Sequence, residues 1–106
     1  MKIFIMTDME CVSGITTDAY LDATSPYYQI TRRNLTRDIN AVAAGCFDGG
    51  ADQVHVQDGH GVPNNIVLDD LDPRITLAHG NPANWCWLDS SFDATMLIGQ
   101  HAREGG

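Results

Sequence analysis

The sequence predicts an α/β fold: a mainly parallel sheet with crossover helices, carrying a metal site at the C-terminal edge of its strands. Three observations predict it. Ile3-Phe4-Ile5-Met6, Val54-His55-Val56-Gln57 and Thr95-Met96-Leu97-Ile98 are apolar runs of strand length. A stretch with helical periodicity separates the first two, and a strand, a helix and a second strand form a parallel, right-handed unit in nearly all cases. Each run leads directly into metal-ligating residue types: Asp8-Met9-Glu10, Asp58-Gly59-His60 and Gly99-Gln100-His101. Open α/β sheets gather function along that edge.

The first strand is expected over Lys2 to Thr7, followed by a loop rich in Thr, Asp and Gly from Asp8 to about Thr24. A loop of that length inside a compact domain is usually functional. Ser25-Pro26 reads as an N-cap followed by proline at the first helical position, and the helix runs to about Phe47 before Gly49-Gly50 stops it. Ile39, Val42, Ala43, Cys46 and Phe47 share its apolar face, with Arg32, Arg33 and Asp38 on a solvated or interfacial one. The second strand covers about Gln53 to Gln57, and Asn64 to Leu68 is expected to begin a short helix. Asp72-Pro73 marks a turn, Arg74 to Ala78 a third strand, Trp85 to Phe92 a second short crossover helix, and Ala94 to Ile98 the last strand. Gly99 then allows close backbone approach.

A chain of 106 residues that is 43% hydrophobic suits one domain over residues 1–106. Six basic against fourteen acidic residues, a net charge of -8, disfavour nucleic acid as a partner, because such binding rests on phosphate neutralisation. No apolar stretch reaches the ~20 residues of a membrane span, and the N-terminus lacks the signature of a signal peptide, so a cytoplasmic protein with no membrane partner is expected. Cys11, Cys46 and Cys86 form no CxxC pair, which fits reduced thiols better than a disulfide framework. Cys46 and Cys86 read as small core residues.

A carboxylate can bridge two divalent ions while a second carboxylate and neutral histidines complete their shells, so Asp8, Glu10, His60 and His101 read together as ligands for zinc or manganese. Asp8 is the natural bridge. Asp8 and Glu10, two apart, converge if the extended conformation persists across Met9. Asp58 is the candidate that orients a ligand histidine as a hydrogen-bond acceptor behind it. A metal pair ~4 Å apart could lower the pKa of a bridging water and polarise a carbonyl, which amounts to metal-assisted amide hydrolysis. The remaining residues carry simpler readings. His55 packs against a helix, His79 belongs to a surface loop, and Trp85 and Trp87 are core residues with bonded indoles. Asp69, Asp70 and Asp72 form a solvated turn. A non-catalytic metal-binding or assembly module is one alternative. A phosphoacceptor receiver domain, with Asp8, Glu10 and Asp58 as its acidic set, is a more distant one, since the sole lysine is Lys2.

Thr7-Asp8-Met9-Glu10 with Ser13-Gly14, Asp58-Gly59-His60 with Asn64-Asn65, and Gly99-Gln100-His101-Ala102-Arg103 resemble, in order and spacing over the whole chain, the binuclear zinc D-aminopeptidases of dipeptide-transport operons. The resemblance implies metal ligation by Asp8, Glu10, His60 and His101, two Zn(2+) ions per complete site, and removal of N-terminal D-amino acids such as D-Ala from short peptides. It also implies a cytoplasmic homo-oligomer, a ring-shaped decamer that encloses its active sites. Family members continue past this point and carry a proposed nucleophilic histidine and a further glutamate ligand there. No catalytic nucleophile is therefore assigned within these residues, which are expected to form the N-terminal, metal-binding and by itself inactive portion of a longer peptidase. Cys11 stands where the family generally has glycine, which raises the questions of backbone strain and of a thiolate near the metal.

Overall fold

The computed structural model describes residues 1–80 and 86–105. Four strands form one parallel sheet: β1 (Lys2–Thr7), β2 (Gln53–Asp58), β3 (Ile75–Ala78) and β4 (Ala94–Ile98), in the order β3-β2-β1-β4. The register pairs Thr7 with both Asp58 and Ile98, so β1, β2 and β4 stop at the same level. That shared stop brings the three segments that carry the candidate ligands to one rim. β1 is central and alternates little, with Ile3, Phe4 and Ile5 all buried, as expected of a strand covered on both faces.

One helix, α1 (Tyr28–Asp48), makes the crossover from β1 to β2. It buries Tyr28, Thr31, Leu35, Thr36, Ile39 and Ala43, with Val42, Cys46 and Phe47 packed partly against the same core. The expected apolar face is therefore correct and extends further toward the N-terminus. The start differs by two residues. Ser25 Oγ accepts from the Tyr27 amide at 3.2 Å and the Ser25 carbonyl from the Tyr28 amide at 3.1 Å, so serine closes a turn just before the helix rather than capping it.

Two expected helices are corrected. Asn64 to Leu68 begins no helix: Asn64 has φ 68°, Asn65 is held by side-chain bonds, and only a single 3₁₀ turn, Leu68–Asp70, follows. In the Trp85 to Phe92 stretch, Trp85 lies outside the described residues and 86–92 are irregular. Local bonds explain that. Asp89 Oδ1 accepts from the Ser91 amide at 2.8 Å and from its hydroxyl at 2.5 Å, and the Trp87 amide donates to Gln57 Oε1 at 2.9 Å, so these two amides bond to side chains rather than to helical carbonyls. Cys86 is exposed rather than in the core, and Cys46 stands 3.7 Å from Met96 Sδ. β4 is an edge strand whose Leu97 is 66% exposed.

The loop after β1 is packed rather than loose. Met9 and Val12 enter the core, and Ser13 bonds Asp38 of α1 through its amide (3.0 Å) and hydroxyl (2.9 Å). Beneath the rim the chain is therefore buried and anchored.

Candidate metal centre

Two glycines draw the neighbouring strand ends against β1. The Gly59 amide donates to the Thr7 carbonyl at 3.0 Å, and a Cβ on Gly59 would lie 2.6 Å from that same oxygen. On the other side the Asp8 amide donates to the Ile98 carbonyl (2.9 Å) and the Cys11 amide to the Gly99 carbonyl (3.0 Å). Gly99 has φ 70°, and a Cβ there would lie 2.3 Å from the Asp8 carbonyl oxygen. Only glycine allows both approaches, and each delivers a histidine toward Asp8.

Asp8, Glu10 and His60 each offer one donor atom within 4.8 Å of the others. His60 Nδ1 lies 2.8 Å from Asp8 Oδ1 and 3.6 Å from Glu10 Oε1, and His101 Nε2 lies 3.6 Å from Asp8 Oδ2. Donors bound tetrahedrally to zinc at ~2.0–2.1 Å stand about 3.3 Å apart. The two longer separations are close to that value, and the His60–Asp8 contact need open by only about 0.5 Å to admit a shared ion. Two carboxylates and neutral imidazoles are also the donor chemistry zinc takes. The residues present therefore fit zinc. His101 stands at the mouth, 62% exposed in its side chain, with Nδ1 against the Ala102 carbonyl at 2.6 Å.

The convergence of Asp8 and Glu10 arises differently from expected. The strand ends at Thr7, and Met9 is fully buried in a turn. Its amide donates to both carboxylates, to Asp8 Oδ1 at 2.9 Å and Glu10 Oε2 at 3.3 Å, so one buried N–H gathers the two side chains where a pleat was expected to. Burial pushes the Asp8 carboxyl upward, but hydrogen bonding with the Glu10 carboxyl, with His60 and from the Met9 amide together outweighs it and holds the carboxyl below its usual range. Asp8 is thus held as an anion. The His101 ring is shifted upward, first by its bond to the Ala102 carbonyl and then by the charge of Asp8.

Asp58 meets other partners than the one expected. It is 2% exposed, its oxygens accept from the Asn65 amide (2.9 Å) and side-chain Nδ2 (2.9 Å), and its nearest histidine is His79, with Nδ1 at 3.7 Å from Oδ2. His60 turns to Asp8 instead. So enclosed, Asp58 is closed to a phosphate donor, which removes the receiver-domain reading. His79 is no loose surface residue. It follows β3 as His60 follows β2, and applying the strand-end argument to the expected strand Arg74 to Ala78 would have found it. His55 stacks edge-on against Phe92, a loop residue rather than a helical one, at 5.3 Å between ring centroids. Cys11 is exposed and has no positive φ, since Asn64 alone among described non-glycine residues does, so the strain expected of a cysteine there is absent. Nor does it join the group of three.

The family model of the peptidase M55 D-aminopeptidases matches residues 1–106. The D-aminopeptidase of Bacillus subtilis (strain 168) is 31% identical over 97% of this chain and 39% of its own length. The solved structure of the Zn-dependent D-aminopeptidase DppA from Bacillus subtilis, a self-compartmentalizing protease, shares the fold at a TM-score of 0.91 and 31% identity, over 97% of this chain and 39% of that one. The chain thus spans 39% of the length of these relatives. Its parallel sheet, its rim of carboxylates and imidazoles and its match from end to end lead to one assignment: the chain belongs to the peptidase M55 family of D-aminopeptidases.

Proposed function

We propose that these residues are the N-terminal, metal-binding portion of a zinc-dependent aminopeptidase that removes D-amino acids, such as D-alanine, from the N-termini of short peptides. The observation that carries this reading is the convergence of Asp8, Glu10 and His60 at the rim, with His101 beside Asp8, in a fold shared with a zinc-dependent D-aminopeptidase. Asp8, Glu10, His60 and His101 would hold the metal. Bound zinc supplies Lewis-acid polarisation of the scissile carbonyl and a water acidic enough to be activated near neutral pH. The chain's own residues do the rest of the local work. Asp8 holds negative charge at the centre, Met9 and Val12 close the floor against water, and exposed His101 marks the side from which substrate enters.

In our reading the nucleophile lies outside these residues. The self-compartmentalizing nature of DppA supports a homo-oligomer, in our reading a cytoplasmic decamer. The test is hydrolysis of D-Ala-D-Ala and L-Ala-L-Ala after zinc loading, by the 106-residue chain and by a longer protein carrying it. Turnover of the D-peptide by the longer protein alone is expected. Preference for the L-peptide would overturn the substrate assignment, and equal rates from both proteins would overturn the division of the site.

A further inference from the structure

Tyr28, Arg32, Thr36 and Asn40 recur at four-residue spacing along α1, and each bonds the segment that follows His60. The Tyr28 hydroxyl donates to Asn65 Oδ1, Arg32 Nη2 donates to the Ile66 carbonyl (3.2 Å), and Thr36 Oγ1 accepts from the Val67 amide (3.0 Å). Asn40 then donates to the Asp70 carbonyl (2.7 Å) and accepts from the Asp72 amide (2.9 Å). Partner order follows helix order. Twelve helical residues rise about 18 Å, and the stretch from Asn65 to Asp72, shortened by the 3₁₀ turn Leu68–Asp70, still reaches roughly 20 Å at about 2 Å per residue through that turn and about 3.4 Å elsewhere. The result is a ladder of polar rungs beside the apolar face of α1.

The rung nearest the rim differs from the others. Asn65 is fully buried, and both its amide groups are engaged: its backbone N–H and Nδ2 donate to the two oxygens of Asp58, Nδ2 also donates to the Val62 carbonyl, and Oδ1 accepts from Tyr28. Asp58 ends β2 and Asn65 ends the turn that begins there, so their bonds close the loop 59–64 like a ring. That loop contains His60. Asn64, at φ 68°, is the bend that lets the ring close.

We infer that Asp58, Asn65 and Tyr28 are positioning residues for His60, holding its loop in the geometry that meets Asp8 and Glu10, whereas the far rung at Asn40 secures only the fold. The inference rests on the metal reading for its functional meaning and on geometry alone for the loop. Outer partners of metal ligands typically contribute 10–100-fold in metal affinity.

The experiment compares the parent with Asn65→Ala, Tyr28→Phe and Asn40→Ala in the whole chain, by zinc titration and by amide exchange in the metal-free protein. Asn65→Ala is expected to weaken zinc binding 10–100-fold and Tyr28→Phe to weaken it less, both with faster exchange confined to residues 59–64. Asn40→Ala is expected to lower the melting temperature while leaving zinc affinity and exchange in 59–64 at parental values. Parental zinc affinity and exchange in both near-rung variants, or equal losses from Asn40→Ala, would overturn the inference. If Asn65→Ala does not fold, Tyr28→Phe decides by the same two readings. If the parent takes up no zinc, the metal reading falls, and exchange in 59–64 alone decides whether the clamp exists.

Discussion

Replacing Gly99 by alanine tests how the rim is assembled. At φ 70° an L-residue costs roughly 1–2 kcal/mol in the left-handed region, and the added Cβ would lie 2.3 Å from the Asp8 carbonyl oxygen and 3.0 Å from Val12 Cγ2. Ordinary contact requires the end of β4 and the Asp8 turn to part by about 1 Å, and such overpacking costs typically about 1–3 kcal/mol. The expected loss is therefore about 2–5 kcal/mol in all. Gly50 is the control: φ is 98°, but a Cβ there meets nothing within 4 Å, so Gly50→Ala carries only the backbone term. Gly59 is the complement, with a Cβ 2.6 Å from the Thr7 carbonyl oxygen and no positive φ. Urea unfolding at constant m-value reads the three costs. Gly99→Ala should exceed Gly50→Ala by about 1–3 kcal/mol, roughly 4–8 °C of melting temperature per kcal/mol in a domain of this size. Equal losses would refute the claim that glycine serves close approach here.

Removing the buried side chain of Ile39, fully enclosed on α1, should destabilise by about 2–5 kcal/mol in thermal or urea unfolding. Zinc affinity should fall between pH 7.5 and pH 5, because ligand histidines must be neutral and the proton competes. Since His101 is shifted above its usual 6.5, its proton still competes on the alkaline side of that value, and isothermal titration at several pH values reads the slope. His55 is shifted the other way, first by burial and then by Lys2. Its folded pKa lies below 6.5, so the unfolded chain binds that proton better. Its contribution is full above 6.5 and is lost as pH falls through the folded value. A ring titration by NMR with a midpoint above 6.5 would contradict the burial. Cys11→Gly should leave stability and zinc affinity unchanged, as a residue with neither strain nor a place among the converging donors requires.

β1, β2 and β4 were legible because each is an apolar run closed by polar residues; burial accounts for that composition in β1 and β2, whereas β4 keeps it although most of its residues are exposed. α1 was legible from Ile39, Ala43 and their neighbours, although its first turn was not, because Ser25 serves a turn as readily as a cap. Residues 86–92 differ from the expected helix because Asp89 takes the Ser91 amide with its own side chain. At the site, the convergence of Asp8, Glu10 and His60 followed from their strand ends. The partner of Asp58 did not. Asn65 reaches it through a loop closed by a left-handed Asn64, and no periodicity records such a bend. Nor were the rungs on α1 read from the sequence, because polar residues beside an apolar face are ordinarily solvated, and only the path of residues 65–72 gives them partners.

The most direct test of the central claim, a zinc site built on Asp8, Glu10 and His60, is metal per chain by elemental analysis. The parent and its His60→Ala variant would be loaded with zinc and desalted identically. The account predicts zinc retained by the parent and lost by the variant, with both folded by circular dichroism. Equal zinc in the two proteins, or none in the parent, would contradict it.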